Sequence, residues 1–258
     1  MTDDERFEAV FRENIRRRSR TAAGQDKGSE TSASKKPLAL QGEALAAKVA
    51  ENTQGLILDV AATADLWLRG VPPAADNGLR QISERWFDIA NDGLYGPDAY
   101  GAEIGQLKKE AERLGAYLGI ELSINPRYRL WTPQYTTIKA SPVLLEPLME
   151  NFYEMLGDML FDAFLSREDA EAAGVDDSAN CAAVMAYADL MMDGELHPWM
   201  DACGRVSTAL VMFISRVLRL PPPLFAETKD GHYAAIRDLM EHASYYVDAL
   251  RRGAAFGA

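Results

Sequence analysis

The stretch DGELHPWMDACGRVSTALVMFISRVLRL, residues 193–220, places a polar loop directly before an apolar segment. From Arg205 to Leu220, apolar residues occur on nearly every side of a helical wheel, which predicts a helix at the centre of the core. The prolines at 221–223 then end that helix, because proline lacks the backbone N–H that a helix needs. Polar groups between buried helices are costly unless they have partners or a purpose, so residues 193–205 are the first candidate site.

Residues 197–205 hold an imidazole, a carboxylate, small residues and a guanidinium just before a helix N-terminus, where free N–H groups and the helix dipole favour an anion. His197 can take a proton from a hydroxyl, Asp201 can hold a divalent metal, and Arg205 can bind phosphate through its planar fork of donors. Ala202 and Gly204 allow a phosphate to approach the backbone. The set fits phosphoryl or nucleotidyl transfer, although a purely structural turn stays open as an alternative.

The rest of the chain predicts a mainly α-helical protein. Helical patterns cover about residues 42–70, 77–91, 104–118, 142–159, 179–192, 205–220 and 233–251. Between Ile120 and Lys139 the residues are partly β-branched and aromatic, which predicts a small β-hairpin or flap that includes Tyr135, Thr136, Thr137 and Ile138.

Three regions follow from this pattern. Residues 1–40 carry a basic cluster at 16–20 and a Gly/Ser/Thr/Lys-rich run, so they are expected to form a disordered tail with solvated arginines and no assigned function. Residues 41–119 form a helical lead-in region, and residues 120–258 form the domain that holds the loop.

Composition narrows the classes of function. The chain has 39 acidic and 27 basic residues, a formal charge of −12, so nucleic-acid binding through the overall field is not expected. No apolar run approaches the ~20 residues that span a bilayer, so no membrane segment is expected. Cys181 and Cys203 cannot form a disulfide framework, and His197, His232 and His242 lack zinc-site spacing. A cytoplasmic location is expected, with secretion as an effector left open; the oligomeric state is not indicated.

The loop resembles the signature of the Fic (Fic/Doc) family: His-Pro-Phe, any residue, Asp or Glu, Gly-Asn-Gly-Arg, two residues and a second Arg. The matching residues are His197, Pro198, the aromatic Trp199, Asp201, Gly204 and Arg205. The resemblance covers roughly residues 120 to 250, with a flap and helix over 129–155 and a helix–loop–helix pattern over 187–225. It implies a Fic-type helical bundle with a small β-hairpin flap and an N-terminal helical extension.

Fic enzymes typically transfer AMP from ATP to a Ser, Thr or Tyr hydroxyl of a target protein, and relatives transfer other phosphate-linked groups or a phosphate. The resemblance implies such a transferase with a protein substrate, Mg, and ATP or another nucleotide-type donor. His197 would be the general base and Asp201 the magnesium ligand. The phosphate cradle would be Ala202, Cys203, Gly204 and Arg205. The flap would align a target segment by strand addition.

The chain departs from the family signature at three positions. Cys203 replaces the asparagine, and a thiol donates only weakly. Thr208 replaces the second arginine, and Ala202 replaces the first glycine, as in Doc-type members. A Doc-like kinase and a catalytically degenerate Fic-fold binding or regulatory module are therefore the alternatives. Cys203 is expected to be a buried part of the loop, and His232 and His242 are expected to be surface or capped histidines without a role.

Overall fold

A computed structural model describes residues 1–19, 39–70, 78–96, 101–121, 142–199, 201–228, 231–232 and 239–257. These ranges contain eight α-helices and no β-strand, so the prediction of a mainly helical protein is confirmed. In chain order the helices are α1 (Asp3–Ser19), α2 (Gly42–Leu68), α3 (Leu79–Asn91), α4 (Gly101–Leu118), α5 (Pro142–Ala173), α6 (Ser178–Asp189), α7 (Cys203–Val217) and α8 (Leu239–Ala254). A π-helical turn, Leu190–Glu195, continues directly from α6.

Helix α7 is the central element, as its composition predicts. All its residues are buried except Gly204, Arg205 and Arg216. It packs against α1, α2, α3 and α6. A helix that is apolar on nearly all sides must be enclosed, because each large apolar side chain left exposed forgoes about 1.5–3 kcal/mol of burial free energy. α7 ends at Val217, ahead of the three prolines.

Helix α1 corrects the prediction of a disordered tail over residues 1–40. Residues 3–19 are helical, and one face is buried in the core shared with the other helices. The side chains of this face are Phe7, Val10, Phe11 and Ile15. The prediction is therefore wrong for residues 3–19, whereas residues 20–38 lie outside the described ranges.

Local sequence explains why α1 forms. The Glu5 N–H donates to Thr2 Oγ1 at 3.2 Å, and the Thr2 N–H donates to Glu5 Oε2 at 2.7 Å, which is a reciprocal capping box. The first turn is acidic and the last turn holds Arg16, Arg17 and Arg18, so both ends complement the helix dipole. The basic cluster thus belongs to the end of a packed helix.

The extended segment after α7 is held by both α1 and α8. The Asn14 side chain donates to the Pro223 carbonyl at 2.8 Å and accepts the Phe225 N–H at 2.9 Å. The Leu224 N–H donates to the carbonyl of Ala249 in α8 at 2.9 Å. A Cβ at residue 253, a glycine, would lie 1.8 Å from the Pro222 carbonyl oxygen, so this close approach needs glycine.

The other predicted elements match the structure with differences at their ends. The predicted helix 179–192 is α-helical only to Asp189 and then widens into the π-helical turn. The predicted start of the last helix at Tyr233 and the predicted flap over 135–138 lie outside the described residues. Helices on both sides of the predicted boundary at residue 120 share one hydrophobic core. None of the helices in the described ranges is long and apolar enough to cross a bilayer.

Candidate functional site

Two of the predicted site residues have strained backbone conformations. His197 has φ +45° and Ala202 has φ +65°. The left-handed region costs a non-glycine residue roughly 1–2 kcal/mol, and such conformations persist only where the surroundings hold them. Trp199 anchors the loop between them: it is fully buried, and its ring stacks on Phe87 with a centroid separation of 5.1 Å. The loop is therefore a fixed structure rather than a loose connection.

One ring nitrogen of His197 is held by the π-helical turn. Nδ1 lies 2.9 Å from the backbone carbonyl oxygen of Asp193 and 3.7 Å from Oδ1 of the same residue. Because a carbonyl oxygen only accepts, Nδ1 carries the hydrogen, and Nε2 is then the basic nitrogen of the neutral ring. The side chain is 19% exposed. This is the tautomer that a general base acting through Nε2 requires.

Asp201 and Arg205 contact each other across the first turn of α7. Nη2 of Arg205 lies 3.4 Å from Oδ2 of Asp201 and 3.5 Å from Oδ1 of Asn91. Nη1 makes a shorter bond, 2.6 Å, to the carbonyl oxygen of Ala90 at the C-terminal end of α3, where a cation is favoured. Nη2, whose present contacts are long, is therefore the nitrogen of Arg205 that can most easily turn to a phosphate.

The other predicted cradle residues lie at the N-terminus of α7, which begins at Cys203. The Ala202 carbonyl accepts the N–H groups of Arg205 and Val206, both at 2.9 Å. Cys203 is buried, as predicted, and its thiol donates to the Trp199 carbonyl at 3.3 Å. The first N–H groups of a helix and its dipole favour an anion, so this end of α7 suits a phosphate.

Gly204 packs against an ion pair. A Cβ at this position would lie 3.2 Å from Nη1 of Arg18 and 3.5 Å from Oδ2 of Asp193. These two groups bond to each other at 2.8 Å, and both side chains are buried. Glycine here therefore permits the approach of Arg18 and Asp193 to α7, a reason different from the phosphate contact that the sequence predicts.

Asp189, at the end of α6, is a fully buried carboxylate bound by side chains from three other helices. Oδ1 accepts hydrogen bonds from Nη2 of Arg18 at 2.5 Å and from the Ser207 hydroxyl. Oδ2 accepts from Nε2 of His242 at 2.9 Å and from the Tyr246 hydroxyl at 3.0 Å. Burial alone would raise the pKa of Asp189, but the Arg18 charge and the histidine donors hold that pKa well below its usual range. The carboxylate is therefore ionised.

His232 approaches the same carboxylate from the segment before α8. Its Nε2 lies 3.0 Å from Oδ2 of Asp189, and its Nδ1 lies 3.0 Å from the Tyr245 hydroxyl. That hydroxyl accepts the Ala226 N–H at 2.8 Å, so its own hydrogen is directed to Nδ1 and the ring hydrogen lies on Nε2. Burial and the Arg18 charge lower the pKa of His232. We call this group the Asp189 cluster: Arg18, Asp189, Ser207, His232, His242 and Tyr246.

The sequence prediction missed the Asp189 cluster. His232 and His242 were expected to be surface or capped histidines, and a surface position is wrong: they are 1% and 0% exposed. The capping box at Thr2 and the apolar stripe of α1 were signals that residues 3–19 fold. Asp189 and Asp193, four residues apart in an apolar stretch, signalled a shared polar face. Nothing in the sequence paired these carboxylates with Arg18.

The described residues offer one candidate ligand, Asp201, to the magnesium ion that the resemblance implies. They contain no group of three or more His, Cys, Asp or Glu side chains that could hold a metal ion. Asp201 is a single carboxylate whose side chain is 33% exposed. Because Mg²⁺ commonly binds one or two carboxylates together with substrate phosphates, Asp201 fits this ion when a nucleotide supplies the other ligands.

Comparison with known proteins does not assign the chain to a family. No protein-family model matches the chain, and no curated protein matches it. The resemblance to the Fic family accordingly stays a prediction, and it rests on the residues quoted from the loop.

Proposed function

We propose that this chain transfers AMP, or a related phosphate-linked group, from ATP or another nucleotide-type donor to a hydroxyl of a protein. The hydrogen bond from Nδ1 of His197 to the Asp193 carbonyl supports this most, because it leaves Nε2 as a base. Helix α7 begins six residues later with N–H groups that favour a phosphate. A positioned base beside an anion-binding helix end suits nucleotidyl transfer.

In the proposed reaction, Nε2 of His197 takes the proton of the attacking hydroxyl while the hydroxyl oxygen bonds to phosphorus. With ATP as donor, the bond from the α-phosphorus to pyrophosphate breaks, and its electron pair leaves with pyrophosphate. Asp201 would hold magnesium, which neutralises phosphate charge when bound. The first amides of α7, at Cys203 and Gly204, bind phosphate oxygens.

The geometry of Arg205 is compatible with a role on phosphate. Its Nη1 donates to the carbonyl oxygen of Ala90 at 2.6 Å, and this bond holds the guanidinium in place. The Nη2 contacts with Asn91 and Asp201, at 3.5 and 3.4 Å, are longer than the roughly 2.7–3.2 Å of a good hydrogen bond. A phosphate oxygen forms a stronger charge-assisted bond and can displace them. Arg205 can then bind the phosphate through Nη2 while Nη1 stays bonded to Ala90, without a change of rotamer.

A binding or regulatory module is the second candidate, and one observation favours it. Asp201 and Arg205 form an ion pair with each other, so the two charges needed for metal and phosphate are already engaged. A module that binds a protein partner needs neither nucleotide nor metal. The two candidates therefore differ in whether the protein binds a magnesium–nucleotide complex.

Mass measurement of the intact protein separates these candidates. The full chain is incubated with magnesium and each common nucleotide, alone and with a cell lysate as the source of target proteins. His197→Ala is compared with Glu195→Ala, a matched control because Glu195 is an exposed residue of the same segment. We expect a gain equal to a nucleoside monophosphate in the wild type and the control, reduced about 100-fold or more in His197→Ala.

The other outcomes decide against this proposal. A His197-dependent gain equal to one phosphate identifies a Doc-like kinase. No gain in any protein, together with no nucleotide binding by calorimetry, rejects transfer from these donors and leaves the binding module. An equal gain in the wild type and in His197→Ala removes His197 from the role of base.

A further inference from the structure

We propose that Arg18 is a positioning residue for His197, which makes α1 a working part of the candidate site. This role rests on the proposed function, because it concerns the base of that reaction. It is carried by three residues that contact one another in series, Arg18, Asp193 and His197. The arrangement of these side chains can be measured whether or not the protein transfers a group.

Two hydrogen bonds connect Arg18 to His197 through a single residue. Nη1 of Arg18 donates to Oδ2 of Asp193 at 2.8 Å. The backbone carbonyl of Asp193 accepts from Nδ1 of His197 at 2.9 Å. Asp193 therefore presents its carboxylate to the guanidinium and its carbonyl to the imidazole.

Burial explains why this carboxylate needs the guanidinium. The side chains of Arg18 and Asp193 are 7% and 2% exposed. Removing one partner of a buried pair leaves an uncompensated charge, which is strongly unfavourable. Nδ1 of His197 lies 3.7 Å from Oδ1 of Asp193, close enough to become its donor after a small shift. Without Arg18, the carboxylate is expected to take the Nδ1 hydrogen bond from the backbone carbonyl and to favour the doubly protonated ring, which cannot act as a base.

Arg18 is itself fixed at two further points. Its Nη2 donates to Oδ1 of Asp189 at 2.5 Å, so the fork spans two carboxylates at once. Its Nη1 lies against Gly204, the second residue of α7. One guanidinium thus sets the position of the base relative to the helix end that would bind phosphate.

Nitrogen NMR of the full chain tests this role without an assay of transfer. The protein has three histidines, so long-range ¹H–¹⁵N correlation spectra contain few signals, and those lost in His197→Ala identify His197. We expect the neutral tautomer with hydrogen on Nδ1 in the wild type near pH 7.5. In Arg18→Gln, we expect the His197 signals to shift toward another tautomer or the protonated ring. Asp193→Asn weakens the hold of Arg18 on residue 193 but leaves no carboxylate to favour a protonated ring, so there we expect a shift toward the other neutral tautomer.

Arg17→Met is the matched control for damage to α1. Arg17 is also largely buried, and its side chain binds Glu13 and the Phe225 carbonyl. We expect this variant to lose stability but to keep the wild-type His197 signals. If Arg18→Gln does not fold, Asp193→Asn decides, because it leaves the bond between Arg18 and Asp189 in place.

Transfer kinetics supply a second readout. We expect Arg18→Gln to lower the rate constant of transfer about 10- to 100-fold, the range typical for loss of a ring-orienting partner, with KM for the nucleotide nearly unchanged. The double variant with Asp193→Asn should lose no more than the larger single effect, because both substitutions break one connection.

The failures of the two proposals are distinguishable. If the wild type makes no adduct, the proposed function fails. The NMR comparison still tests whether Arg18 positions the His197 ring. If the His197 signals in Arg18→Gln and Asp193→Asn equal those of the wild type, the positioning role is rejected. Additive losses in the double variant would also overturn it, because Arg18 would then act by a route other than Asp193.

Discussion

The loop 197–205 and the Asp189 cluster are two polar sites in one core, and they are assembled in opposite ways. The loop takes all its chemical groups from nine consecutive residues, keeps His197 partly exposed, and includes two strained backbone positions. The cluster takes one side chain each from α1, α6, α7 and the segment before α8, and two from α8, and its histidines are buried. The loop has the accessibility that chemistry needs, whereas the cluster has the enclosed and satisfied bonding of a structural element.

Substitution of Asp189 in the cluster and of Asp201 in the loop should give the largest difference in stability between the two sites. Asp189→Asn removes the charge that Arg18 and four further side chains approach, so we expect the free energy of unfolding to fall by about 3–5 kcal/mol. Asp201→Asn breaks a partly exposed ion pair and should change it by at most about 1 kcal/mol. Urea denaturation measures both. Equal losses at the two positions would contradict the comparison.

A smaller effect is expected from one donor of the cluster. Tyr246→Phe removes the hydroxyl that donates to Oδ2 of Asp189 at 3.0 Å and keeps the ring in the core. Loss of a hydrogen bond to a charged group costs about 1.5–3 kcal/mol. Tyr117→Phe is the control, because Tyr117 is 85% exposed and its hydroxyl faces water. A loss at Tyr246 no larger than at Tyr117 would show that this donor is dispensable.

The cluster should also make stability depend on pH through His232. Burial and the Arg18 charge hold the pKa of His232 below its value of 6.5 in an unfolded chain, while Asp189 and Asp193 act in the opposite direction and Tyr245 binds Nδ1. The unfolded state therefore binds a proton first as pH falls, so stability is greatest above 6.5 and decreases as pH falls through the folded pKa. Asp189, with its lowered pKa, adds a further loss only below 3.8.

Denaturation at pH 8 and pH 5 in matched ionic strength checks this direction. We expect a lower free energy of unfolding at pH 5 for the wild type. His232→Gln, which cannot titrate, should show a smaller difference between the two conditions. A higher stability at pH 5 would mean that the attraction of Asp189 and Asp193 outweighs burial at His232.

The contrast between the sites also explains what could be predicted from the sequence. The central position of α7 was predictable because the apolar residues that bury it follow one another in the sequence. The position of the loop directly before α7 was predictable for the same reason, since the two are neighbours in sequence. The bond of Arg18 to Asp189 joins positions 171 apart, and no local pattern encodes such a distance. The actual contact of Arg205 with Ala90 was hidden likewise, because it depends on where the end of α3 lies.

The missed fold of α1 has a different cause. Its capping box and its apolar stripe were readable, but the adjacent Gly/Ser/Thr-rich run and the three arginines dominated the interpretation of residues 1–40 as a whole. A basic cluster at a helix end is favoured by the dipole, so it is as consistent with a packed helix as with a solvated tail. The average composition of residues 1–40 thus pointed to disorder, although residues 3–19 carry the signals of a helix.

The smallest predicted effect concerns strain in the loop. Ala202 has φ +65°, a conformation that glycine adopts without the steric cost of a Cβ. Ala202→Gly is therefore expected to raise the free energy of unfolding by about 1 kcal/mol. Ala62→Gly, at an exposed position within α2, should lower it by about 1 kcal/mol, because glycine is a poorer helix former than alanine. Opposite signs for the same substitution would locate strain in the loop, whereas two losses would mean that the left-handed position is not under strain.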